Sequence, residues 1–500
     1  MLYYQPEGFF PPLQRSAGGR QAFQLSGEPP CTVAWATWRC GLDREAEKKV
    51  SGIAAAELLV ARGARVTLAD AAPVVDGAAL SVAGVTLASG PHQPALFASA
   101  DLVVLSPGVA PDQAAVRAAR DAGVPVIGEV ELASRWIRGR IVAVTGTKGK
   151  STTTTLAARM FDEAGFRVTA GGNLGTALSR QVAGSSADDV HVVEVSSFQL
   201  ETTETFHPWI AVLLNLSDDH LDRHGSSDAY ARAKARIFEN QTEDDWAVVN
   251  ADDPAALALA RHGRARRLDY SLLGALSDGV VVEHEQIVRR EGGTTAPLLP
   301  LNAVRVPGRH LLSDVLAATA VGCAAGVPPA ALERAVGQFT GLEHALEHVG
   351  EVDGITFVND SKATNVVAAS RAIESLGEAV VAIMGGRSKG GGFEGLRDSV
   401  ARHAQAVVTI GEASAEIAGA LDGVVPVYDA GSMNEAVDRA FALAEPGGVV
   451  VLAPACASFD QFSDYAARGR AFKAQVRRLA GTKHVDRNGR TEEERTIGES

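Results

Sequence analysis

The chain has 500 residues, too many for one hydrophobic core, so its length alone predicts two to four domains. A hydrophobic fraction of 46% and a mean hydropathy of +0.04 are those of a globular protein. A net charge of −13 argues against nucleic acid or an anionic membrane surface as the main partner, so any phosphate chemistry must use locally placed cations.

Residues 1–30 are rich in Pro and Gly, aperiodic, and predict a disordered lead that lacks the unbroken apolar run of a signal peptide. No later run approaches the length of a membrane span. Cys31, Cys40, Cys323 and Cys456 form no C-x-x-C pair and read as reduced thiols, so the expected location is the cytoplasm. Cys31–Lys49 is odd for the start of an α/β domain. Thr32–Ala34 is a candidate strand, but the stretch carries Trp, charges and a single glycine, Gly41. An insertion before Val50 and a misjoined gene start both fit.

From Ile53 the rhythm is regular. Helix Ile53–Arg62, strand Arg65–Ala69, strand Leu102–Leu105 ending in Ser106-Pro107-Gly108, helix Gln113–Ala122 and strand Val124–Ile127 predict a parallel α/β sheet. Its ligands belong at the carboxyl ends of the strands.

Ile141–Val144 then reads as a buried strand running into Gly146-Thr147-Lys148-Gly149-Lys150-Ser151-Thr152, with a helix from about Ser151 to Ala164. Glycines let backbone N–H groups converge on phosphate oxygens, and the helix N-terminus adds its positive dipole end. Lys150 is placed to neutralise β/γ-phosphates and Ser151 to offer a hydroxyl to Mg²⁺. Val144 stands where the longer G-x-x-x-x-G-K-[ST] loop has its first glycine, so this loop is a shortened form. It predicts ATP and Mg²⁺.

Strand Val190–Val195 carries Glu194, which can reach a metal held by Ser151. Strand Trp209–Leu214 leads into Asp218-Asp219-His220-Leu221-Asp222, either a divalent-metal site or an acidic solvated turn. Helix 228–239, with Ser227 as N-cap, puts Lys234 on the face of Tyr230. A cation aimed at Mg²⁺ would be repelled, so on its own Lys234 reads as a surface lysine. After Ala247–Asn250 the pattern degrades over 270–305 into short strands and turns, and Ser313–Ala325 restores a helix.

A third α/β unit begins near Gly341, with strands Ile355–Val358, Ala379–Met384, Ala406–Ile410 and Gly448–Ala453. Three polar loops close these strands: Asp360–Asn365, Gly385–Gly392 and Ala455–Ser458, the last before a helix holding Asp460, Phe462 and Tyr465. Together they predict a site for a small anionic substrate, with Ser458 near a helix N-terminus able to take a carboxylate. From about Gly481 the tail is polar and expected to be disordered.

With GTKGKSTT (146–153), GGNLG (171–175), EVSSFQLE (194–201), DDHLDRHG (218–225), YARAKARIFE (230–239), NDSKATN (359–365) and APACASFDQF (453–462), the chain resembles the Mur ligases of peptidoglycan synthesis from about Val50 to Leu479. The resemblance implies three α/β domains: a Rossmann-like UDP-sugar domain (31–128), a central P-loop ATPase domain (129–341) and a Rossmann-like glutamate domain (342–481), with a tail at 482–500. It implies an ATP-dependent amide ligase joining D-glutamate to UDP-N-acetylmuramoyl-L-alanine. The working unit would be a monomer without nucleic acid or membrane insertion.

By motif, Gly146, Thr147, Lys148, Gly149, Lys150, Ser151 and Thr152 would hold the triphosphate, with Asp360 and Lys362 on the nucleotide side. Ser151 and Glu194 would hold one Mg²⁺ and His220 would serve a second. Lys234 would react with CO₂ to give an anionic carbamate that bridges metals, which removes the objection to a cation there. Ser51, Ser106, Gly108 and Asn173 would meet the UDP-sugar, and Thr364, Lys389, Ser458 and Tyr465 the glutamate.

The chain departs from the family pattern in three places. No Gly-rich loop precedes Ser51, Gly308-Arg309-His310-Leu311 is followed by Asp314 where asparagine is usual, and Gly341-Leu342-Glu343-His344-Ala345 lacks an arginine. Two alternatives stand: a related ligase for another amino acid such as L-glutamate, and a nucleotide-binding homologue that does not catalyse.

Overall fold

The computed structural model describes residues 32–37, 45–70, 84–107, 109–110, 112–173, 175–217, 219–261, 263–274, 276–306, 309–388 and 392–488, with backbone alone at 32–37, 45–50, 221–222, 309–310 and 482–488. The expected lead at 1–30, Gly108 and Lys389 lie outside them. The chain divides into two compact units, one ending at Phe339 and the other beginning at Thr340. The first unit holds two sheets, so the first two of the three expected domains fall within it.

The first sheet is parallel, in the order β3-β2-β1-β4-β5, from β1 (Thr32–Thr37), β2 (Arg65–Asp70), β3 (Val85–Ser89), β4 (Leu102–Leu105) and β5 (Val126–Gly128). The candidate strand at Thr32 is therefore the central one. The helix after it spans Glu45–Ala61, so Ser51 lies within a helix rather than at its start. Strand order reverses between β1 and β4, the crevice where open α/β sheets bind ligands, and Ser106 follows β4.

The second sheet runs β14-β13-β12-β11-β10-β9-β6-β8-β7, from β6 (Arg140–Thr145), β7 (Val168–Gly172), β8 (Val190–Glu194), β9 (Ile210–Leu213), β10 (Trp246–Asn250), β11 (Arg266–Ser271), β12 (Gly279–Glu283), β13 (Gln286–Glu291) and β14 (Thr294–Pro300). Only β12–β13 and β13–β14 pair antiparallel, so the short strands and turns expected over 270–305 form a meander extending the sheet edge. β6 sits between β8 and β9, which sets the phosphate loop between the ends of both neighbours. Helix Lys150–Glu163 buries Leu156, Ala157, Met160 and Phe161, a helical-period stripe that outweighs the poor helix propensity of its threonine run. Helix Arg309–Ala324 packs on it, and Gly322 brings Leu332 and Met160 close: a Cβ there would come within 2.5 Å of Leu332.

The second unit holds β15 (Glu347–Val352), β16 (Ile355–Asn359), β17 (Val380–Gly385), β18 (Ala404–Ile410), β19 (Val427–Ala430) and β20 (Val449–Leu452), in the order β15-β16-β20-β17-β18-β19. β20 inserts between β16 and β17, so three loops distant in sequence become neighbours at one sheet end. The last helix starts at Tyr465, leaving Asp460 and Phe462 in the turns before it. It continues to Asn488, into the stretch read from sequence as tail. The N-cap of helix Ser227–Ala235 is Ser226, whose hydroxyl accepts from the Ala229 N–H, so the expected cap is one residue late.

Candidate active site

The phosphate loop joins β6 to helix Lys150–Glu163 through Gly149, whose φ of +83° is a left-handed conformation that side chains rarely adopt. A Cβ at Gly149 would also stand 2.1 Å from Asp314 Oδ1. The loop is braced from the end of β9. Lys148 N–H donates to Asn215 Oδ1 (2.9 Å) while Asn215 Nδ2 donates back to Lys148 O (3.0 Å). Thr147 Oγ1 meets Ser217 N (3.0 Å) and Tyr230 Oη (3.1 Å). Lys150 Nζ curls back onto its own loop, donating to Gly146 O (3.0 Å) and Thr147 O (2.9 Å). Sequence reasoning missed Asn215 as a brace; its only local signal was a polar residue at a buried strand's end.

Glu194 closes β8 at 3% exposure. Its Oε2 accepts from Ser151 Oγ (2.7 Å) and its Oε1 from Asn173 Nδ2 (2.7 Å). The structure thus sets Asn173, expected at the UDP-sugar, against Glu194, the carboxylate expected at the metal. Among the described residues no group of three or more His, Cys, Asp or Glu side chains could hold a metal. A carboxylate and a hydroxyl are hard oxygen donors that leave most positions to phosphate and water, which is how Mg²⁺ is usually held. The residues present fit it.

EVSSFQLE and DDHLDRHG interlock. Ser196 and Gln199 form a capping box, a structural role. His224 Nε2 meets Ser197 Oγ (3.0 Å), and its Nδ1 lies 3.0 Å from Glu201. Arg223 donates to Glu201 Oε2 (3.1 Å) and to Val109 O (3.1 Å), tying the turn after β4 to this cluster. His220 has φ +53°, packs on the Phe198 ring and lies 3.8 Å from Asp219 Oδ2.

Lys234 is not a surface lysine: it is 1% exposed. Its Nζ donates to Gly146 O (2.8 Å) and Thr145 Oγ1 (3.4 Å) and lies over the Tyr230 ring. Burial, and then the Lys150 charge, bring it down to about 7. Both acceptors are neutral.

Asp314, at the departure from the family pattern, is buried beside Gly149 and accepts from the Thr152 side chain; burial pushes its carboxyl up to about 7. Between 3.8 and about 7 the folded state keeps a proton that the unfolded chain has released, so stability falls as pH rises through that window. Asp314→Asn removes this loss. Its melting point is expected to match wild type near pH 4 and exceed it by roughly 4 °C or more at pH 8; equal gains at both pH values would refute the linkage.

In the second unit, Asp360 is buried and pushed up to about 7 by that burial, and its Oδ1 accepts from Leu346 N–H (3.2 Å). Lys362 N–H donates to His344 O (3.0 Å) and Thr364 N–H to Lys362 O (2.8 Å). Asn365 caps the helix Val366–Ser375. Ser458 is buried in the turn before the last helix, and Tyr465 O accepts from Ser361 Oγ (2.7 Å). Within this unit the structure gathers Asp360, Lys362, Thr364, Ser458 and Tyr465 at one sheet end. It also brings in Arg468, which the sequence reading did not single out.

Three family descriptions match the chain: "Mur ligase MurD-like, N-terminal domain" at residues 50–128, "Mur ligase middle domain" at 144–322 and "Mur ligase, glutamate ligase domain" at 346–456. A protein of Acidobacterium capsulatum named UDP-N-acetylmuramoylalanine–D-glutamate ligase is 44% identical over 432 residues, 85% of this chain and 94% of that protein. Proteins of the same name from Koribacter versatilis and Pelotomaculum thermopropionicum are 42% and 44% identical, covering 86% and 85% of this chain and 96% and 95% of theirs. Among solved structures, UDP-N-acetylmuramate–alanine ligase of Thermotoga maritima matches with a TM-score of 0.52 at 18% identity, covering 89% of this chain and 99% of that one. A pseudomurein peptide ligase of Methanothermus fervidus matches with a TM-score of 0.50 at 14% identity, with the same coverage. These two show the shared fold.

Proposed function

The chain belongs to the Mur ligases, and on that premise we propose that it joins D-glutamate to UDP-N-acetylmuramoyl-L-alanine, with ATP cleaved to ADP and phosphate, in peptidoglycan precursor synthesis. The observation that carries this reading is identity of 42–44% across nearly the whole length of relatives bearing that name. The sheet-end loops NDSKATN and ACASFDQF suit an amino-acid substrate and disfavour a nucleotide switch without ligation.

The substrate's L-alanine carboxylate attacks the γ-phosphorus of ATP, forming an acyl phosphate and releasing ADP. The glutamate amine then attacks the acyl carbon, and the tetrahedral adduct collapses to the amide as phosphate leaves and the nitrogen sheds its proton. Several negative groups must meet in the first step, so electrostatics and positioning supply most of the rate. The family is ATP-dependent and uses Mg²⁺; held at Ser151 and Glu194, the ion would neutralise phosphate charge. Gly146–Thr152 would cradle the triphosphate through backbone N–H groups. Lys150, now satisfied by loop carbonyls, would exchange them for phosphate oxygens. His220 would serve a second Mg²⁺.

Lys234 would act as a carbamate. The ammonium first sheds a proton; the neutral amine nitrogen then bonds to the CO₂ carbon and loses a second proton, so that a cation is replaced by a carboxylate-like anion. Burial, neutral acceptors and a position beside Gly146 support this role. Ser51, Ser106, Gly108 and Asn173 would contact the UDP-sugar. Thr364, Lys389, Ser458 and Tyr465 would hold glutamate, with Asp360 and Lys362 on the nucleotide side. A cytoplasmic monomer is the working form of this reading. Among the described residues no helix is long and apolar enough to cross a membrane.

The test is phosphate release with ATP, Mg²⁺ and UDP-N-acetylmuramoyl-L-alanine, with D-glutamate, L-glutamate, a diamino acid or no amino acid added in parallel. Release with D-glutamate alone is expected. Preference for another amino acid would keep the chemistry and move the substrate, and no turnover in protein that still binds ATP would overturn the reading.

A further inference from the structure

Arg468 is among the most deeply buried large side chains, at 1% exposure, although arginine is almost never fully buried unless paired. Its Nε donates to Ser361 Oγ (3.0 Å) and its Nη2 to Ser361 O (3.0 Å). Its Nη1 donates to Cys456 O (3.1 Å) and Gly385 O (3.3 Å). Every acceptor is neutral: Ser361 and Cys456 lie in the loops after β16 and β20, and Gly385 is the last residue of β17. Among the described residues no carboxylate forms an ion pair with it. Asp460 and Cys456 are the ionisable groups whose fields reach it, and the Asp460 carboxylate accepts from Glu412 N–H (3.1 Å).

Room for the guanidinium depends on Gly386, at φ +127°: a Cβ there would stand 2.1 Å from Ala457 O and 3.1 Å from Arg468 Nη1. The same two loops pair backbone to backbone, Arg387 N–H to Ala457 O (2.9 Å) and Ala457 N–H to Arg387 O (3.1 Å). Leaving a cation buried without a paired anion is costly. That cost makes sense where the charge acts through the loops it ties together on an anionic ligand held at their outer side.

We propose that Arg468 is a positioning residue for an acidic amino-acid substrate: it ties the three strand-end loops into one floor, and its buried charge keeps that floor attractive to carboxylates. This rests on the proposed function, whose amino-acid pocket these loops form. Arg468 acts through Ser361, Gly385 and Cys456 rather than by touching substrate.

The experiment compares wild type, Arg468→Lys and Arg468→Met by steady-state kinetics for all three substrates, with melting curves. Arg468→Lys keeps the charge and loses part of the hydrogen-bonded fork. It is expected to raise KM for D-glutamate about tenfold, with KM for ATP and the UDP-sugar within twofold. A lysine buried there sheds its proton far more readily than arginine. Its KM for D-glutamate relative to wild type should therefore climb between pH 7 and 9, and Arg468→Met should show the raised value throughout. Folded variants with an unchanged KM for D-glutamate would overturn the proposal, as would three KM values moving together with the melting point. If wild type prefers another amino acid, the proposed substrate fails while the comparison is made with that one: an acidic preference with the same KM split keeps Arg468's role, and a neutral preference overturns it. No turnover by wild type overturns both.

Discussion

Lys150→Ala is expected to reduce D-glutamate-dependent phosphate release by about 1,000-fold or more, the scale seen when one preorganised electrostatic contact to a developing charge is removed. The lysine occupies the first turn of its helix with its Nζ on Gly146 O and Thr147 O. These carbonyls belong to the turn proposed to cradle the phosphates. Alanine is a good helix former at that position, so the fold should survive. The braces through Asn215 and Thr147 do not involve the lysine side chain. The loss should therefore fall on kcat with an unchanged melting point. A variant retaining more than a tenth of wild-type turnover would remove Lys150 from the mechanism.

Lys234→Ala is expected to lower turnover by about 100- to 1,000-fold, and wild type stripped of CO₂ should lose activity that bicarbonate restores. Carbamylation needs a free amine, and an ordinary lysine is almost wholly protonated at neutral pH. Brought down to about 7 by burial, Lys234 is largely neutral above that pH. At equal dissolved CO₂, restoration should therefore be faster at pH 8 than at pH 6. Protein incubated with ¹³C-bicarbonate should show a carbamate carbon signal that Lys234→Ala lacks. Between about 7 and 10.5 the unfolded chain binds a proton here that the uncarbamylated folded state does not, so that form gains stability as pH rises through the window. Full activity in CO₂-free buffer, with no such signal, would sink the carbamate.

Ile141–Thr155 could be read from sequence as strand, phosphate loop and helix because each step is local. A β-branched apolar run builds β6, glycines permit the left-handed turn at Gly149, and a helical-period stripe buries Leu156, Met160 and Phe161. Glu194 was legible for a related reason: a lone carboxylate ending a buried strand needs partners, and it has them in Ser151 and Asn173. Four of the six strands of the third α/β unit were legible in the same way, while β15 (Glu347–Val352) and β19 (Val427–Ala430) were not read.

What the sequence by itself determined is the α/β alternation, the shortened phosphate loop and the residue types at the ends of the strands it revealed, since turn chemistry and hydrophobic period act within a few residues. Tertiary structure alone decided which of those ends meet. Insertion of β20 between β16 and β17 makes neighbours of loops nearly a hundred residues apart. The meander β12–β14 forms from a stretch with no readable period, because pairing with a sheet edge supplies the order. Lys234 and Arg468 look like surface cations on helices. Their burial follows from what packs over them, Tyr230 and the phosphate loop for one and three sheet-end loops for the other. Charge in a sequence has a sign, but only the fold assigns it a dielectric, and the dielectric decides whether a lysine stays a cation.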